Sequence, residues 1–387
     1  MDSNFPETGK DKKKIIDEIK RACSSDYSYQ EGRILNSICS EPLPVAVEAY
    51  CQTIHTNLGD VRIFPGVKKI ERAVTQMIGD LLSHPGAAGN VVSGGTEANL
   101  LALLAARNKN KNITSPEVVV PFSIHFSVNK AASILGLKLR YTKLDHNQHA
   151  DPKEIERSIN SNTIAIMATA GTSETGAVDP IPEIASIAKK HNLYFHVDAA
   201  SGGFIIPFAK ELGYNLPDFD FKIKKVDSIT VDPHKYALSV IPSGYILFRS
   251  KEIQKLVGFE SHYVGTETHT TFAGTRPGAS AASTYAVIKY LGRQGFKELV
   301  KGCFNKRNFL INELEKQGLK ILIPPDLNIV IIKSKNPKKA MRMLEDRRWL
   351  VSMSKRNNAL RAVVHHHLQK EHLRAFAEEL SAIERSL

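Results

Sequence analysis

Short apolar runs rich in β-branched residues recur through the middle of the chain, at 117–121, 137–144, 163–170, 193–197, 226–231 and 244–248. Each predicts a strand, and Val91-Val92 closes one more. Between them, apolar positions return at helical spacing over 98–107, 127–136, 152–158 and 182–190. Strands alternating with helices predict an α/β fold, a mostly parallel central sheet with helices on both faces. Ahead of it, helices are expected over 10–22, 45–56 and 67–82, the first setting Ile15, Ile16 and Ile19 opposite lysines. Beyond residue 258 the rhythm breaks. Residues 258–275 form a long polar stretch with little apolar content and predict a mobile or ligand-contacting loop. Helices at 279–290 and 296–316 follow. Strands at 319–323, 328–333 and 359–364, mixed with helices at 337–345 and 370–383, then predict a small α+β domain. The expected division is an N-terminal helical segment (1–55), a large domain (56–295) and a small C-terminal domain (296–387).

Composition narrows the class only a little. With 42% hydrophobic residues in 387, the chain can bury a large core, so disorder is not expected. No apolar run reaches the length of a membrane span, and Met1 to Lys14 lacks a signal-peptide core, so a cytoplasmic protein is expected. The four cysteines show neither disulfide nor metal spacing. His365-His366-His367 falls at the end of a predicted strand, where neighbours point to opposite faces, so no shared metal is expected there. The net charge of +12 is spread along the chain without a basic stripe interleaved with aromatics. A basic enzyme with anionic ligands accounts for it, and no nucleic-acid partner is expected.

Ligands of parallel sheets gather beyond the strands' carboxyl ends. His125, Thr172, Asp198 and Lys235 all fall at or just after such an end. Ser93-Gly94-Gly95-Thr96 joins a strand to a helix start, which aims free backbone N–H groups at one point. Two readings stay open for that turn: a phosphate site, or a helix capped by Thr96 with no ligand. It is not a Walker A loop, because no lysine follows the second glycine. Lys235, after Asp232-Pro233-His234, is either a surface lysine or the amine of a Schiff base. Asp198 either caps a turn or pairs with a buried cation. Together they meet the needs of pyridoxal 5'-phosphate (PLP): a lysine for its aldehyde, a carboxylate for its ring nitrogen, a helix start for its phosphate and a flat partner, His125, for its ring.

Five ordered motifs carry a family resemblance. They are Ser93-Gly-Gly-Thr-Glu-Ala-Asn99, Ala170-Gly-Thr-Ser-Glu-Thr-Gly-Ala-Val-Asp-Pro180, His196-Val-Asp-Ala-Ala200, Asp232-Pro-His-Lys235 and Gly274-Thr-Arg276. The chain resembles the group II PLP-dependent amino-acid decarboxylases over roughly residues 15 to 385, and among them the archaeal L-tyrosine/L-aspartate decarboxylases. The resemblance implies an aspartate-aminotransferase-like fold (fold type I) and a homodimer with active sites at the subunit boundary. It implies decarboxylation of L-tyrosine, L-aspartate or both, with Lys235 as the Schiff-base lysine and Asp198 at the pyridine nitrogen. Ser93, Gly94, Gly95, Thr96 and His234 would hold the phosphate or its surroundings, His125 would stack on the ring, and Thr172 would sit near it. Thr275 and the loop before it would approach the neighbouring subunit's cofactor. Arg361 would take the substrate α-carboxylate, with Asn57 and Phe64 also at the substrate. Tyr263 is the first choice to protonate the intermediate, His125 the second. Arg62, beside Asp60, could serve a second carboxylate. A carbon–carbon lyase resembling sphingosine phosphate lyase, or a glutamate decarboxylase, is the alternative. Ser201, Tyr236-Ala-Leu-Ser239 and His365-His366 depart from the family pattern around the substrate pocket, so substrate identity transfers least.

Overall fold

A computed structural model of the chain describes residues 4–261 and 268–387. Its main sheet contains β1 (Ala88–Val92), β2 (Glu117–Pro121), β3 (Lys138–Thr142), β4 (Thr163–Thr169), β5 (Tyr194–Asp198), β6 (Ser228–Val231) and β7 (Gly244–Phe248). They lie in the order β1-β7-β6-β5-β4-β2-β3. From β6 to β3 every pairing is parallel, and β7 alone runs against its neighbours. Strands β2 and β4 to β7 are buried at every position, as a sheet covered on both faces requires. The edge strand β3 instead carries Lys138, Arg140 and Tyr141 to solvent or half-exposure, which discourages further pairing.

Two cores follow from strand alternation. Val119, Ile166, Val197 and Ile229 face one side, against helices Pro65–Leu81, Ile181–Lys190 and part of Gly278–Lys316. Val118, Val120, Ala165 and Met167 face the other, against Leu100, Leu101 and Leu103 of helix Gly95–Lys109. Truncating one of those fully buried leucines to alanine would cost about 2–5 kcal/mol.

A second sheet, ordered β10-β11-β9-β8, is antiparallel throughout: β8 (Ile321–Ile323), β9 (Ile329–Ile332), β10 (Ser352–Ser354) and β11 (Ala359–Val363). The three residues of β10 carry no alternation long enough to predict. The two helices expected between 279 and 316 form one run, Gly278–Lys316, broken at Gly292, whose φ of 56° suits a residue without a Cβ. Its first part enters the large core through Ala281 and Val287, and its end enters the small one through Leu310 and Leu314. Residues from the N-terminal segment also join the small sheet: Leu35 N–H donates to Leu350 O (2.7 Å), and Val363 N–H to Leu35 O (2.6 Å). Helix Lys12–Ala22 buries none of its residues. Among the described residues no helix is long and apolar enough to cross a membrane.

Candidate active site

The carboxyl ends of β2, β4, β5 and β6 surround a cavity of about 330 Å³. Asp198 is the last residue of β5, buried because the strand is covered on both sides. Its Oδ2 accepts from Asn99 Nδ2 (2.8 Å) and its Oδ1 from Ala200 N–H (3.1 Å). Among the described residues no side-chain cation lies within ion-pair distance of this carboxylate, which is only 5% exposed. A buried carboxylate without a cation is costly, so the site has room for a bound one.

Strand β6 stops at Val231, and Pro233 opens the short helix Pro233–Tyr236 that carries His234 and Lys235 into the cavity. Lys235 Nζ lies 3.2 Å from Asp232 Oδ2. Burial pulls the amine's pKa down, but Asp232 and Asp198 together outweigh it and raise the value, so the free lysine is an ammonium. Asp232 Oδ1 is buried and unpartnered. His234 Nδ1–H donates to Ser243 O (2.6 Å).

Beside Asp232 and His234, β1 runs through Ser93 into helix Gly95–Lys109, whose N-cap is Gly94 and whose first N–H groups receive no side-chain cap. The backbone turn packs so closely that a Cβ on Gly244 would lie 2.4 Å from Gly94 Cα. Thr96 is therefore not the cap, and this helix start faces the cavity as an anion site would. Ser93 also lines the cavity. Its N–H (2.8 Å) and hydroxyl (2.9 Å) both donate to Glu97 Oε2, closing the turn rather than offering a donor to the cavity. His125 follows β2 and lines the cavity, with Nδ1 2.9 Å from Ser127 Oγ. Burial depresses its pKa, Lys235 adds to this and Asp198 opposes it, leaving a neutral imidazole near pH 7.

Other expectations meet different surroundings. Thr172 is fully buried, and its hydroxyl bonds Thr175 Oγ1 (2.9 Å) and accepts from Ala177 N–H (3.1 Å). The turn folds back on itself, so Thr169, Gly171 and Ser173 line the cavity and Thr172 does not. Thr169 Oγ1 is buried without a partner, the better polar contact for a bound ring. Arg361, on β11, donates to Ser173 O (2.8 Å), Glu174 O (3.2 Å), Asn36 O (3.0 Å) and Ser352 Oγ (3.0 Å). It stands behind Ser173 rather than on the cavity wall, and no carboxylate among the described residues pairs with it. Asn57 Oδ1 accepts from Gly59 N–H (2.7 Å) and Arg276 N–H (3.1 Å), and Phe64 packs edge-on to His55, so neither lines this cavity. Arg62 is paired with Asp60 (2.9 Å). Thr275 is exposed beside Arg276, which is anchored to Glu71 (2.5 Å). Tyr263 lies outside the described residues.

The three histidines correct their expectation. β11 ends at Val363, so strand alternation does not apply to them, and their ring nitrogens lie within 4.8 Å of one another. His367 already bonds Ser40 Oγ (2.9 Å) and Ile34 O (3.0 Å), and Lys306 Nζ donates to His366 O (2.7 Å), setting an ammonium against the group. Sequence reasoning also passed over Asn99, Ser127, His196 and Thr230, which form a polar network that meets the cavity at Asn99. The available signal was one polar side chain, Asn99, within an alanine- and leucine-rich helix.

One cavity thus brings together a lysine, a buried carboxylate that lacks a cation and an uncapped helix start, a set that fits PLP. The chain belongs to the pyridoxal-dependent decarboxylase family, whose conserved domain matches residues 1–333, and it is a PLP-dependent carboxy-lyase. It is 43% identical over 378 residues to a probable L-tyrosine/L-aspartate decarboxylase of Methanocella arvoryzae, covering 97% of this chain and 99% of that one. It is 41% identical over 382 residues to an L-aspartate/L-glutamate decarboxylase of Pyrococcus horikoshii, covering 98% and 99%. In structure it is similar to the sphingosine-1-phosphate lyase of Burkholderia pseudomallei (TM-score 0.91, 24% identity, 99% and 93% covered). It is also similar to the glutamate decarboxylase of Lactobacillus brevis (TM-score 0.87, 20% identity, 100% and 95% covered). These likenesses establish the aspartate-aminotransferase-like fold of fold type I PLP enzymes.

Proposed function

We propose that the substrate is an L-amino acid of the tyrosine or aspartate type, decarboxylated to the corresponding amine in a homodimer. The observation that carries the site assignment is Asp198, a buried carboxylate without a cation, in the same cavity as Lys235. When bound, PLP supplies an aldehyde for the amino group and a cationic ring that takes up the electron pair as carbon dioxide leaves. Lys235 Nζ anchors the cofactor, and Asp198 keeps the proton on the ring nitrogen. The N–H groups at the start of helix Gly95–Lys109 hold the phosphate, with Thr96 and His234 beside them. His125 flanks the ring, and Thr169 takes the polar contact first expected of Thr172. Arg361 is the cation for the α-carboxylate; its lack of a carboxylate partner and its hold on Ser173 O, at the cavity wall, support this role. Tyr263, with His125 second, returns the proton to the substrate carbon. Exposed Thr275, next to anchored Arg276, is positioned for the neighbouring subunit's cofactor.

The names of the relatives support tyrosine, aspartate and glutamate as the acids to compare. Purified protein is incubated with PLP, its visible absorbance recorded, and carbon dioxide trapped from each acid in turn. The expected result is a visible band, lost in Lys235→Ala, and carbon dioxide from tyrosine or aspartate. Absence of the band in the wild type overturns the site assignment. A band without carbon dioxide from any of the three acids favours the carbon–carbon lyase reading instead.

A further inference from the structure

Asn99 is completely buried, one turn into the helix whose start faces the cavity. Its carboxamide has four hydrogen-bonding positions, and all are filled. Nδ2 lies 2.8 Å from Asp198 Oδ2 and 3.0 Å from Ser127 Oγ, while Oδ1 lies 2.9 Å from Thr230 Oγ1 and 3.0 Å from His196 Nε2. An ionised carboxylate only accepts, so the amide is oriented with Nδ2 toward Asp198. Every other proton in the network then has a direction. Thr230 and His196 Nε2–H donate to Asn99 Oδ1. His196 Nδ1 accepts from Ser228 O–H (2.8 Å), and Ser228 Oγ accepts from Tyr194 O–H (2.8 Å). Burial depresses the His196 pKa to about 4, so this chain stays neutral at physiological pH. A branch runs the other way. Ser127 Oγ accepts from Asn99 and donates to His125 Nδ1 (2.9 Å), which also receives Ser127 N–H (3.3 Å). The His125 proton is therefore on Nε2.

We propose that Asn99 is a positioning residue that aligns Asp198 as an ionised carboxylate and, through Ser127, sets the tautomer and tilt of His125. One side chain thereby couples the groups assigned to the ring nitrogen and the ring face. Because it sits on the helix whose start is assigned to the phosphate, it also fixes the spacing between the two ends of the cofactor. Neutral donors directed at a buried carboxylate stabilise its charged form. The proposal rests on the reading of Lys235 and Asp198 as the PLP site.

Asn99→Asp tests it with almost no change in volume. An acceptor would replace the donor facing Asp198, and two carboxylates so close hold one proton between them, so Asp198 no longer presents a full negative charge to the cavity. The apoprotein's Kd for PLP, read from the visible band, should rise at least about tenfold, the loss of one charge-assisted hydrogen bond. The pH midpoint of that band should rise as well, because a ring nitrogen without its proton no longer repels a proton on the Lys235 nitrogen. A purely structural role would lower the melting temperature and leave both readouts unmoved. That result in a cooperatively melting variant overturns the proposal. If Asn99→Asp does not fold, Thr230→Val, which removes one donor to Asn99 Oδ1, should move both readouts the same way by less. Unchanged values there overturn the proposal too. A wild type without a band removes the PLP reading and this inference together, whereas a normal wild type beside an indistinguishable variant removes the inference alone.

Discussion

Asp198→Asn separates the demands of the free protein from those of the cofactor. Both direct partners of the carboxylate are donors, Asn99 Nδ2 and Ala200 N–H. An asparagine must turn its own NH2 toward one of them, which leaves a buried donor unsatisfied at a cost of about 1–3 kcal/mol. Against this, the mutation removes a buried charge without a cationic partner, a relief of similar size. The apoprotein should therefore change in stability by less than about 2 kcal/mol. Binding is different. Replacing a charge-assisted hydrogen bond to the ring nitrogen by a neutral one should cost about 2 kcal/mol, or roughly thirtyfold in PLP affinity. The assay is unfolding with and without PLP. At a concentration of about 100 times the wild-type Kd, PLP should stabilise the wild type by about 2.7 kcal/mol and the variant by only about 0.9 kcal/mol. Equal stabilisation of the two, with Kd values within about threefold, would refute the pairing of Asp198 with the ring nitrogen.

Glu71, 1% exposed, holds Arg276 (2.5 Å), Lys68 (3.0 Å) and Val91 N–H (3.0 Å), so Glu71→Gln leaves a buried guanidinium unpaired and should cost about 3–5 kcal/mol. Burial raises the Glu71 pKa, but Arg276 and Lys68 prevail and lower it. Its contribution is present above the unfolded carboxylate value and lost as pH falls through the folded one. Urea midpoints of wild type and variant should thus converge on acidification, and a constant gap would contradict the ion pairs. His149 bridges Asp326 (2.8 Å) and Asp145 (3.2 Å), and Asp326 above all raises its pKa to about 9 despite burial. That stability is complete below the unfolded histidine value and lost as pH rises through about 9. Relative to His149→Gln, the wild type should lose roughly 1–3 kcal/mol over that window, measured by denaturant titration. Arg361→Lys keeps the charge but not the donors to Ser173, Glu174, Asn36 and Ser352. It should raise KM for the amino acid at least about tenfold, and an unchanged KM would remove the α-carboxylate role.

Much of this enzyme is legible in its sequence because strand and helix rhythms are local. Alternating apolar runs predicted the central sheet. Strand ends marked by Pro233, or by the glycines after Ser93, brought Lys235, Asp198 and the start of helix Gly95–Lys109 to one edge of it. A side chain that projects from the end of a regular strand can be aimed from sequence, since the backbone around it is standard. Inside turns the direction depends on contacts remote in the chain. Thr172 turns inward to Thr175, leaving the cavity to Thr169 and Ser173, and Ser93 turns to Glu97. His365, His366 and His367 cluster beyond the end of β11 at Val363, where strand alternation no longer applies. Leu35 reaches the small sheet across more than three hundred residues. Asn99 shows the division most plainly: its position on a helix was local, but its four partners come from three other segments of the chain. Sequence determined which residues could do the chemistry. Only the packed structure decided which polar atoms face the cavity and which are held by one another, because each buried donor and acceptor must find its partner wherever the fold supplies one.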